Sequence, residues 1–216
     1  ILAGSFLSKG SSAYRIIEFA KTLVGHLPGG LPIAAILASV IFAAVSGSSP
    51  ATVAAIGSVM YAAIKQAGYN EQFAIWTIAT SGSLGILIPP SIVFIVYGVT
   101  ADESIGKLFM AGIIPGLMIG GMMMITTYIL AKRGGFKGNK RATFKEQFVA
   151  FKNAFWALLI IVIVIGGIYG GIFTPTEAGA FSVMYAFFVS FFIYKDIKFK
   201  DLHKIILDAA QTSAML

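Results

Sequence analysis

Two clusters of serine, glycine and proline interrupt the longest uncharged stretches of the chain, residues 27–64 and 72–101. The first cluster consists of Ser46, Gly47, Ser48, Ser49 and Pro50. The second consists of Thr80, Ser81, Gly82, Ser83 and Gly85, and it is followed by Pro89, Pro90 and Ser91. Hydroxyl groups and free backbone carbonyls are neutral oxygen ligands, which suit a hard cation such as Na⁺. The clusters therefore predict a cation site without carboxylates, unless the small residues serve only close helix packing.

The composition is typical of a membrane protein with several spans. Hydrophobic residues make up 57% of the chain and charged residues 12%, and the mean hydropathy is +0.87. Because a helix satisfies its own backbone hydrogen bonds in lipid, these apolar runs predict an all-α polytopic membrane protein. The chain contains no cysteine, which excludes disulfides and thiolate metal ligands from it.

The distribution of charge favours a lipid partner over nucleic acid. The net charge is +7, and the basic residues lie between the apolar runs, as the positive-inside rule describes. Residues 132–152 carry seven Lys or Arg and a single acid, Glu146, which predicts a cytoplasmic loop. A capping box from Thr143 to Glu146 predicts a short amphipathic helix within this loop. A second capping box, from Thr174 to Glu177, accounts for that acid better than a proton or cation site does.

The first cluster divides its uncharged stretch into two apolar arms. As helices, arms 31–46 and 51–65 would measure about 22–24 Å, which is short of the hydrocarbon thickness of about 30 Å. A short, uncharged and hydroxyl-rich turn suits burial better than exposure to water. We therefore predict a re-entrant hairpin over residues 28–66, with two ordinary spans and a tight polar turn as the alternative.

The second cluster lies in a stretch of 30 residues, 72–101, which is too long for one straight helix across the membrane. Two adjacent prolines cannot both keep helical hydrogen bonds with the preceding turn, so they must interrupt the helix. We predict a broken transmembrane helix over residues 71–101, and a simple proline kink is the alternative.

The other segments follow from apolar runs and from their flanking charges. We predict the end of a transmembrane helix at 1–10, an interfacial arm helix at 11–27, transmembrane helices at 103–131, 153–173 and 177–194, and a cytoplasmic turn with the start of the next transmembrane helix at 195–216. Two discontinuous elements close together in sequence are typical of secondary transporters.

Three runs of the sequence resemble the large membrane (M) subunit of TRAP transporters, the tripartite ATP-independent periplasmic family. They are GHLPGGLPIAAILASVIFAAVSGSSPATVAAIGSVM, SGSLGILIPPSIVFIVYGV and GGIYGGIFTPTEAGAFSVMYA. The resemblance implies an elevator-type Na⁺/solute symporter of the ion transporter superfamily in a bacterial or archaeal cytoplasmic (inner) membrane. It implies two partners, a small TRAP membrane subunit and a periplasmic solute-binding protein. The expected solutes are acidic, namely C4-dicarboxylates, sialic acid or related sugar and keto acids, and no organic cofactor is expected.

The resemblance also assigns roles to the two clusters. The Na⁺ ligands would come from Ser46, Gly47, Ser48, Ser49, Ser81, Gly82, Ser83 and Gly85. The solute would contact Ser48, Ser49, Pro89, Pro90 and Ser91. The hairpin and the broken helix would move as one body, while helices 108–131 and 154–173 would stay closer to the scaffold or link to it. The opposing hairpin of the family and its second Na⁺ site have no counterpart here, so we expect a fragment of the full subunit.

Three other classes of function compete with a transporter. An intramembrane serine protease needs a serine paired with a histidine at membrane depth, whereas His26 and His203 both adjoin charged segments. An ion channel could also use carbonyl-lined helix breaks. A purely structural subunit would leave two buried hydroxyl clusters costly and unused. We therefore expect a transporter and not an enzyme.

Overall fold

The computed structural model describes residues 1–215, and this part of the chain folds into helices joined by short connections. The elements in chain order are α1 (Leu2–Lys9), α2 (Ser12–Val24), α3 (Gly30–Ser46), α4 (Ser49–Gln66), α5 (Glu71–Gly82), α6 (Leu84–Leu87), α7 (Ile92–Thr100), α8 (Ile105–Arg133), α9 (Phe144–Tyr169), α10 (Pro175–Phe188), which continues as a π-helical turn (Val189–Ile193), and α11 (Phe199–Met215).

Four segments are long and apolar enough to cross a membrane: Glu71–Thr100, Ile105–Arg133, Phe144–Tyr169 and Pro175–Ile193. Large hydrophobic side chains stay exposed along them, such as Ile114 and Val162 at 68% and 65%. In water such exposure would be costly, whereas in lipid it is not. The helical content and these segments confirm the prediction of an all-α polytopic membrane protein.

Helices α3 and α4 form a hairpin that closes at Gly47. Gly47 adopts a left-handed conformation with φ +62°, which glycine reaches without the steric cost of a Cβ atom. Ser48 is extended and precedes the first turn of α4, where Pro50 is tolerated because it has no amide to satisfy there. Both arms are shorter than a full span, at about 25 Å and about 27 Å by the helical rise.

The predicted interruption of the next segment is present as two breaks. Helix α5 ends at Gly82, and the single turn α6 ends before Ile88, whose backbone is extended. Pro89 and Pro90 follow, and α7 begins after the extended residue Ser91. The backbone between α6 and α7 therefore leaves helical hydrogen bonding where the prolines require it.

Helix α8 packs against the hairpin and the broken helix along a row of three glycines, Gly112, Gly116 and Gly120. A Cβ atom on Gly112 would lie 2.7 Å from the carbonyl oxygen of Leu87, and one on Gly116 would lie 2.7 Å from a side-chain carbon of Ile88. The helices approach so closely only because these side chains are absent.

The expectation that helix 108–131 stays closer to the scaffold or links to it remains a prediction. Helix α8 packs on α3, which is one arm of the hairpin, and on α6 and α7 of the broken helix. Spacing of glycines four apart indicates a close helix contact but does not identify the partner, so the sequence could not decide this point.

Helix α9 also differs from the prediction, which divided it into an amphipathic helix within 132–152 and a span at 153–173. It is one continuous helix of 26 residues, Phe144–Tyr169, and begins at the predicted capping box of Thr143 and Glu146. No glycine or proline occurs between residues 144 and 165, so nothing in the backbone interrupts the helix.

Helix α2 connects two groups of helices. It packs on α3 of the hairpin and on α9, while α1 packs with α10 and α11. Ile16, Ile17 and Ala20 of α2 are fully buried in an apolar cluster with α3, α4 and Ala157 of α9. Helix α2 thus bridges the hairpin and α9 through its apolar face.

A strap, residues 134–139 after α8, covers the junction between α2 and the hairpin. The amide of Asn139 donates a 3.0 Å hydrogen bond to the carbonyl of Gly25. The ring of Phe136 stacks on Tyr69, with 3.9 Å between the ring centroids. The strap therefore contacts both outer ends of the hairpin region.

Candidate functional site

The tip of the hairpin and the break of the next helix are in direct backbone contact. The amide of Ile92 donates a 3.1 Å hydrogen bond to the carbonyl of Gly47. A Cβ atom on Gly47 would lie 2.5 Å from the carbonyl oxygen of Pro90. A Cβ atom on Gly85 would lie 2.6 Å from the carbonyl oxygen of Ser48. The structure thus brings the two predicted clusters together, and glycine is required on both sides of the contact.

Three oxygens converge inside the tip. The hydroxyls of Ser46 and Thr52 lie 2.9 Å apart, and the Thr52 hydroxyl donates to the carbonyl of Ser48 at 2.8 Å. The Ser46 hydroxyl is 3.3 Å from the same carbonyl, and all three residues are buried. This group combines two hydroxyls and one carbonyl, which are the neutral ligand types expected for Na⁺.

Sequence reasoning missed Thr52 because it lies beyond Pro50 and outside the cluster of small residues. Its position was nevertheless readable from the sequence. A hydroxyl four residues after Ser48 can reach back to that carbonyl once α4 is helical, which is a common side-chain bond of serine and threonine in helices.

The hydroxyls of the second cluster lie in other contacts. Ser81 and Ser39 are buried, with 3.0 Å between their hydroxyl oxygens, so they join α5 to the middle of α3. The Ser83 hydroxyl donates to the carbonyl of Thr80 at 2.7 Å. From this cluster, two glycines approach the tip: Gly85 faces the carbonyl of Ser48, and a Cβ atom on Gly82 would lie 3.6 Å from the carbonyl oxygen of Ser49.

Some of the predicted solute-contacting residues lie at the contact between the hairpin tip and the helix break, and the others lie beside it. Pro90 meets Gly47, and buried Ser91 donates to the carbonyl of Ile86 at 2.8 Å. Ser49 is partly buried at the start of α4. Pro89 is buried beside Pro90.

Two cavities reach the tip, and Ser46 lines both. The first, of about 100 Å³, includes Gly47, Pro90 and Ser91 together with residues of α9 and α10. The second, of about 250 Å³, includes Ser48 and Pro50 together with residues of α1 and α11. The tip is therefore accessible from two directions.

Charged groups are absent from the hairpin between residues 27 and 64 by sequence. Within residues 1–215, no group of three or more His, Asp or Glu is arranged to hold a metal ion. At the outer end of the hairpin, Glu71 accepts a 3.2 Å hydrogen bond from Lys65, and this bond joins α4 to α5. The same bond raises the pKa of the Lys65 amine. Among the residues of the hairpin itself, only neutral oxygens are therefore available to a cation at the tip.

The predicted capping role of Glu177 is confirmed. Its carboxylate accepts a 2.8 Å hydrogen bond from the amide of Thr174, and the Thr174 hydroxyl accepts a hydrogen bond from the amide of Glu177 in return. The same reciprocal pair begins α9 at Thr143 and Glu146.

The sequence also matches known proteins over its whole length. Residues 1–216 match the family described as tripartite ATP-independent periplasmic transporter, DctM component. The C4-dicarboxylate TRAP transporter large permease protein DctM of Rhodobacter capsulatus is 49% identical over 230 residues, which cover 100% of this chain and 52% of the relative. The Vibrio cholerae protein of the same name is 50% identical over 197 residues, 91% of this chain and 44% of the relative.

A relative with a different solute in its name is more distant. The sialic acid TRAP transporter permease protein SiaT of Haemophilus influenzae is 39% identical over 209 residues, which cover 97% of this chain and 34% of the relative. The chain thus spans about half the length, or less, of the curated relatives that it matches.

Proposed function

This chain belongs to the DctM component family of the tripartite ATP-independent periplasmic transporters, and we propose that the full protein takes up an acidic organic solute together with Na⁺. It acts as a secondary transporter in the cytoplasmic membrane of a bacterium or archaeon. Its partners are a small membrane subunit and a periplasmic solute-binding protein that delivers the solute.

The contact between the hairpin tip and the broken helix is the observation that carries this proposal. Both elements interrupt helical hydrogen bonding at the same place, and the carbonyl of Ser48 lies there with the hydroxyls of Ser46 and Thr52. Backbone exposed in this way is tolerated at membrane depth only where protein or a polar cavity surrounds it. Interrupted helices that meet in this way are characteristic of ion and solute sites in secondary transporters.

Burial of the tip supports a re-entrant hairpin. The tip contacts Gly85, Pro90 and Ile92, which all lie inside the candidate span Glu71–Thr100. A tip that meets the interior of a spanning segment lies away from both bilayer surfaces. Two full spans joined by an exposed turn would instead bring the tip level with one end of that segment.

The solute site is the cavity beside Pro90 and Ser91. The first solute to test is a C4-dicarboxylate, because relatives at 49% and 50% identity carry that name. Partial positive charge at the start of α7 favours the carboxylate groups of such a solute. The elevator movement would carry the hairpin, the broken helix and α8 together, since α8 packs on both.

The test is uptake by the full-length protein, reconstituted into liposomes with its membrane subunit and its binding protein. An imposed Na⁺ gradient without ATP is expected to drive saturable uptake of radiolabelled succinate. Replacement of Na⁺ by choline and omission of the binding protein are the controls. Succinate uptake that persists in choline, or ion flux that neither saturates nor depends on solute, would contradict the proposal and indicate a channel instead.

A further inference from the structure

The second cavity at the hairpin tip contains an ion pair between two helices outside the hairpin. The ammonium of Lys9 in α1 lies 2.8 Å from the carboxylate of Asp208 in α11. Hydroxyl-bearing residues from α1, α3 and α11 and from the α3–α4 turn line the same cavity of about 250 Å³, namely Ser5, Ser8, Ser46, Ser48 and Thr212. A positive charge therefore lines the same cavity as the tip.

The pair contributes little to holding the two helices together. The side chains of Lys9 and Asp208 are 38% and 42% exposed, and ion pairs between such exposed groups stabilise a fold only weakly. Phe6, Leu7 and Ile205, all buried, already join α1 and α11 in one apolar cluster. Stability therefore gives no strong reason for two opposite charges at this place.

Lys9 retains capacity for a second acceptor. An ammonium group has three N–H donors, and the bond to one oxygen of Asp208 requires only one of them. Its partial exposure leaves room for a carboxylate in the cavity. Asp208 meanwhile neutralises part of the positive charge, which keeps an anion from binding too tightly to leave.

We propose that Lys9 is a subsite for a carboxylate group of the transported solute, in the cavity that shares Ser46 with the one beside Pro90 and Ser91. Asp208 sets the strength of this subsite by competing for the same ammonium. The inference rests on the proposed function and extends it to a named residue outside the hairpin and the broken helix.

Equilibrium binding of radiolabelled succinate to the full-length protein and its membrane subunit in nanodiscs tests the proposal. Na⁺ is held constant, and the variants are Lys9→Gln, Asp208→Asn and the double variant. Lys9→Gln is expected to weaken succinate binding by roughly two- to fivefold, and Asp208→Asn to strengthen it by a similar factor. The double variant should resemble Lys9→Gln, because the donor is lost. Lys107→Gln, at the exposed start of α8, is the matched control and should bind as the wild type does.

A subsite predicts that Lys9→Gln weakens succinate binding and that Asp208→Asn strengthens it. If the pair were only structural, both variants would change succinate binding in the same direction. Both shifts should shrink when choline chloride raises the ionic strength, because screening weakens exposed charges. Shifts of equal sign, or none, would overturn the subsite while wild-type binding and uptake remain. Wild-type protein that neither binds nor takes up succinate would overturn the proposed function itself, so the two failures are distinct.

Discussion

The carbonyl of Gly47 at the end of α3 accepts a hydrogen bond of 3.1 Å from the amide of Ile92 in the first turn of α7. First-turn amides have no partner within their own helix, and the same is true of last-turn carbonyls. The end of one interrupted helix thus supplies the hydrogen-bond partner that the start of the other lacks. This mutual dependence explains why the hairpin tip and the break occur together, and it makes the contact sensitive to any added atom.

The close backbone approach at this contact predicts that Gly85→Ala impairs function. Its Cβ atom would lie 2.6 Å from the carbonyl oxygen of Ser48, which is backbone and cannot simply rotate away. Overpacking of this kind costs about 1–3 kcal/mol. We expect a lower melting temperature of the purified protein and loss of Na⁺-driven uptake. Gly121→Ala in α8 has no atom within 4 Å of its Cβ and should leave both measurements unchanged.

The oxygens at the tip predict a rise in the Na⁺ concentration for half-maximal uptake. Ser46→Ala and Thr52→Val each remove one hydroxyl, and loss of one ligand is worth about 1–3 kcal/mol, or roughly 5–150-fold in affinity. Because coupling is reciprocal, solute affinity should fall at limiting Na⁺ and recover at high Na⁺. Thr52→Ser keeps the oxygen and should be milder.

Two further serines extend this test. Ser48→Ala and Ser83→Ala are expected to raise the Na⁺ requirement if their hydroxyls bind the ion. The Ser83 hydroxyl already donates to Thr80, so we expect the smaller effect there. A variant with an unchanged Na⁺ half-saturation would remove that side chain from the ion site.

The buried pair of Ser39 and Ser81 predicts a crosslink that is compatible with transport. Their hydroxyl oxygens are 3.0 Å apart, so cysteines at both positions should form a disulfide under mild oxidation. If the hairpin and the broken helix move as one body, uptake should be similar before and after oxidation. Loss of uptake on oxidation that a reductant restores would instead indicate movement between α3 and α5. The two single-cysteine variants are the controls.

The depth of the tip predicts the labelling of a cysteine at Ser48. The chain has no native cysteine, so Ser48→Cys introduces a unique thiol. Because the cavity that contains Lys9 and Asp208 reaches this residue, small charged thiol reagents should modify it, whereas bulky impermeant reagents should not. Ala67→Cys, at the exposed outer end of the hairpin, should react with both. Labelling of the Ser48→Cys variant by bulky reagents from the periplasmic side would contradict a re-entrant hairpin.

The strap predicts a local loss of order when its aromatic contact is removed. Phe136→Ala eliminates the stack on Tyr69, and such pairs contribute about 0.5–1.5 kcal/mol beyond their buried area. We expect faster amide hydrogen exchange in residues 134–143 and near Gly25, whose carbonyl the strap occupies. Phe144→Ala, at a side chain that is 83% exposed, is the matched control. Unchanged exchange at both places would show that the strap is held by other contacts.

Several elements were predictable because a single local property determines them. Two prolines in succession cannot continue a helix, and Thr143 with Glu146 satisfies a helix start regardless of what surrounds it. Charge and hydropathy likewise give the class of protein, because lipid excludes unsatisfied backbone everywhere.

Other features depend on which surfaces meet, and a sequence alone does not encode that directly. The glycines of α8 indicated a close contact, but only the structure shows that Gly112 and Gly116 meet the broken helix and that Gly120 meets α3 of the hairpin. Thr52 joins the tip only because α4 turns its hydroxyl back to Ser48. Ser81 has a hydroxyl of the kind expected at an ion site, yet this hydroxyl lies against Ser39 in the middle of α3.

The uncharged hairpin has an electrical consequence. Residues 27–64 and 72–101 carry no formal charge, and the charged residues of α8, which we propose to move with them, lie at its two ends: Lys107, Lys132 and Arg133. The moving body would therefore carry no charge of its own through the middle of the membrane. One elementary charge moved through 100 mV corresponds to about 2.3 kcal/mol. The return of the empty body should therefore be nearly independent of voltage, and the cargo alone should determine the current. If the positive charge of the Na⁺ ions carried in one cycle differs from the negative charge of the solute, that difference would be the net charge transferred per cycle.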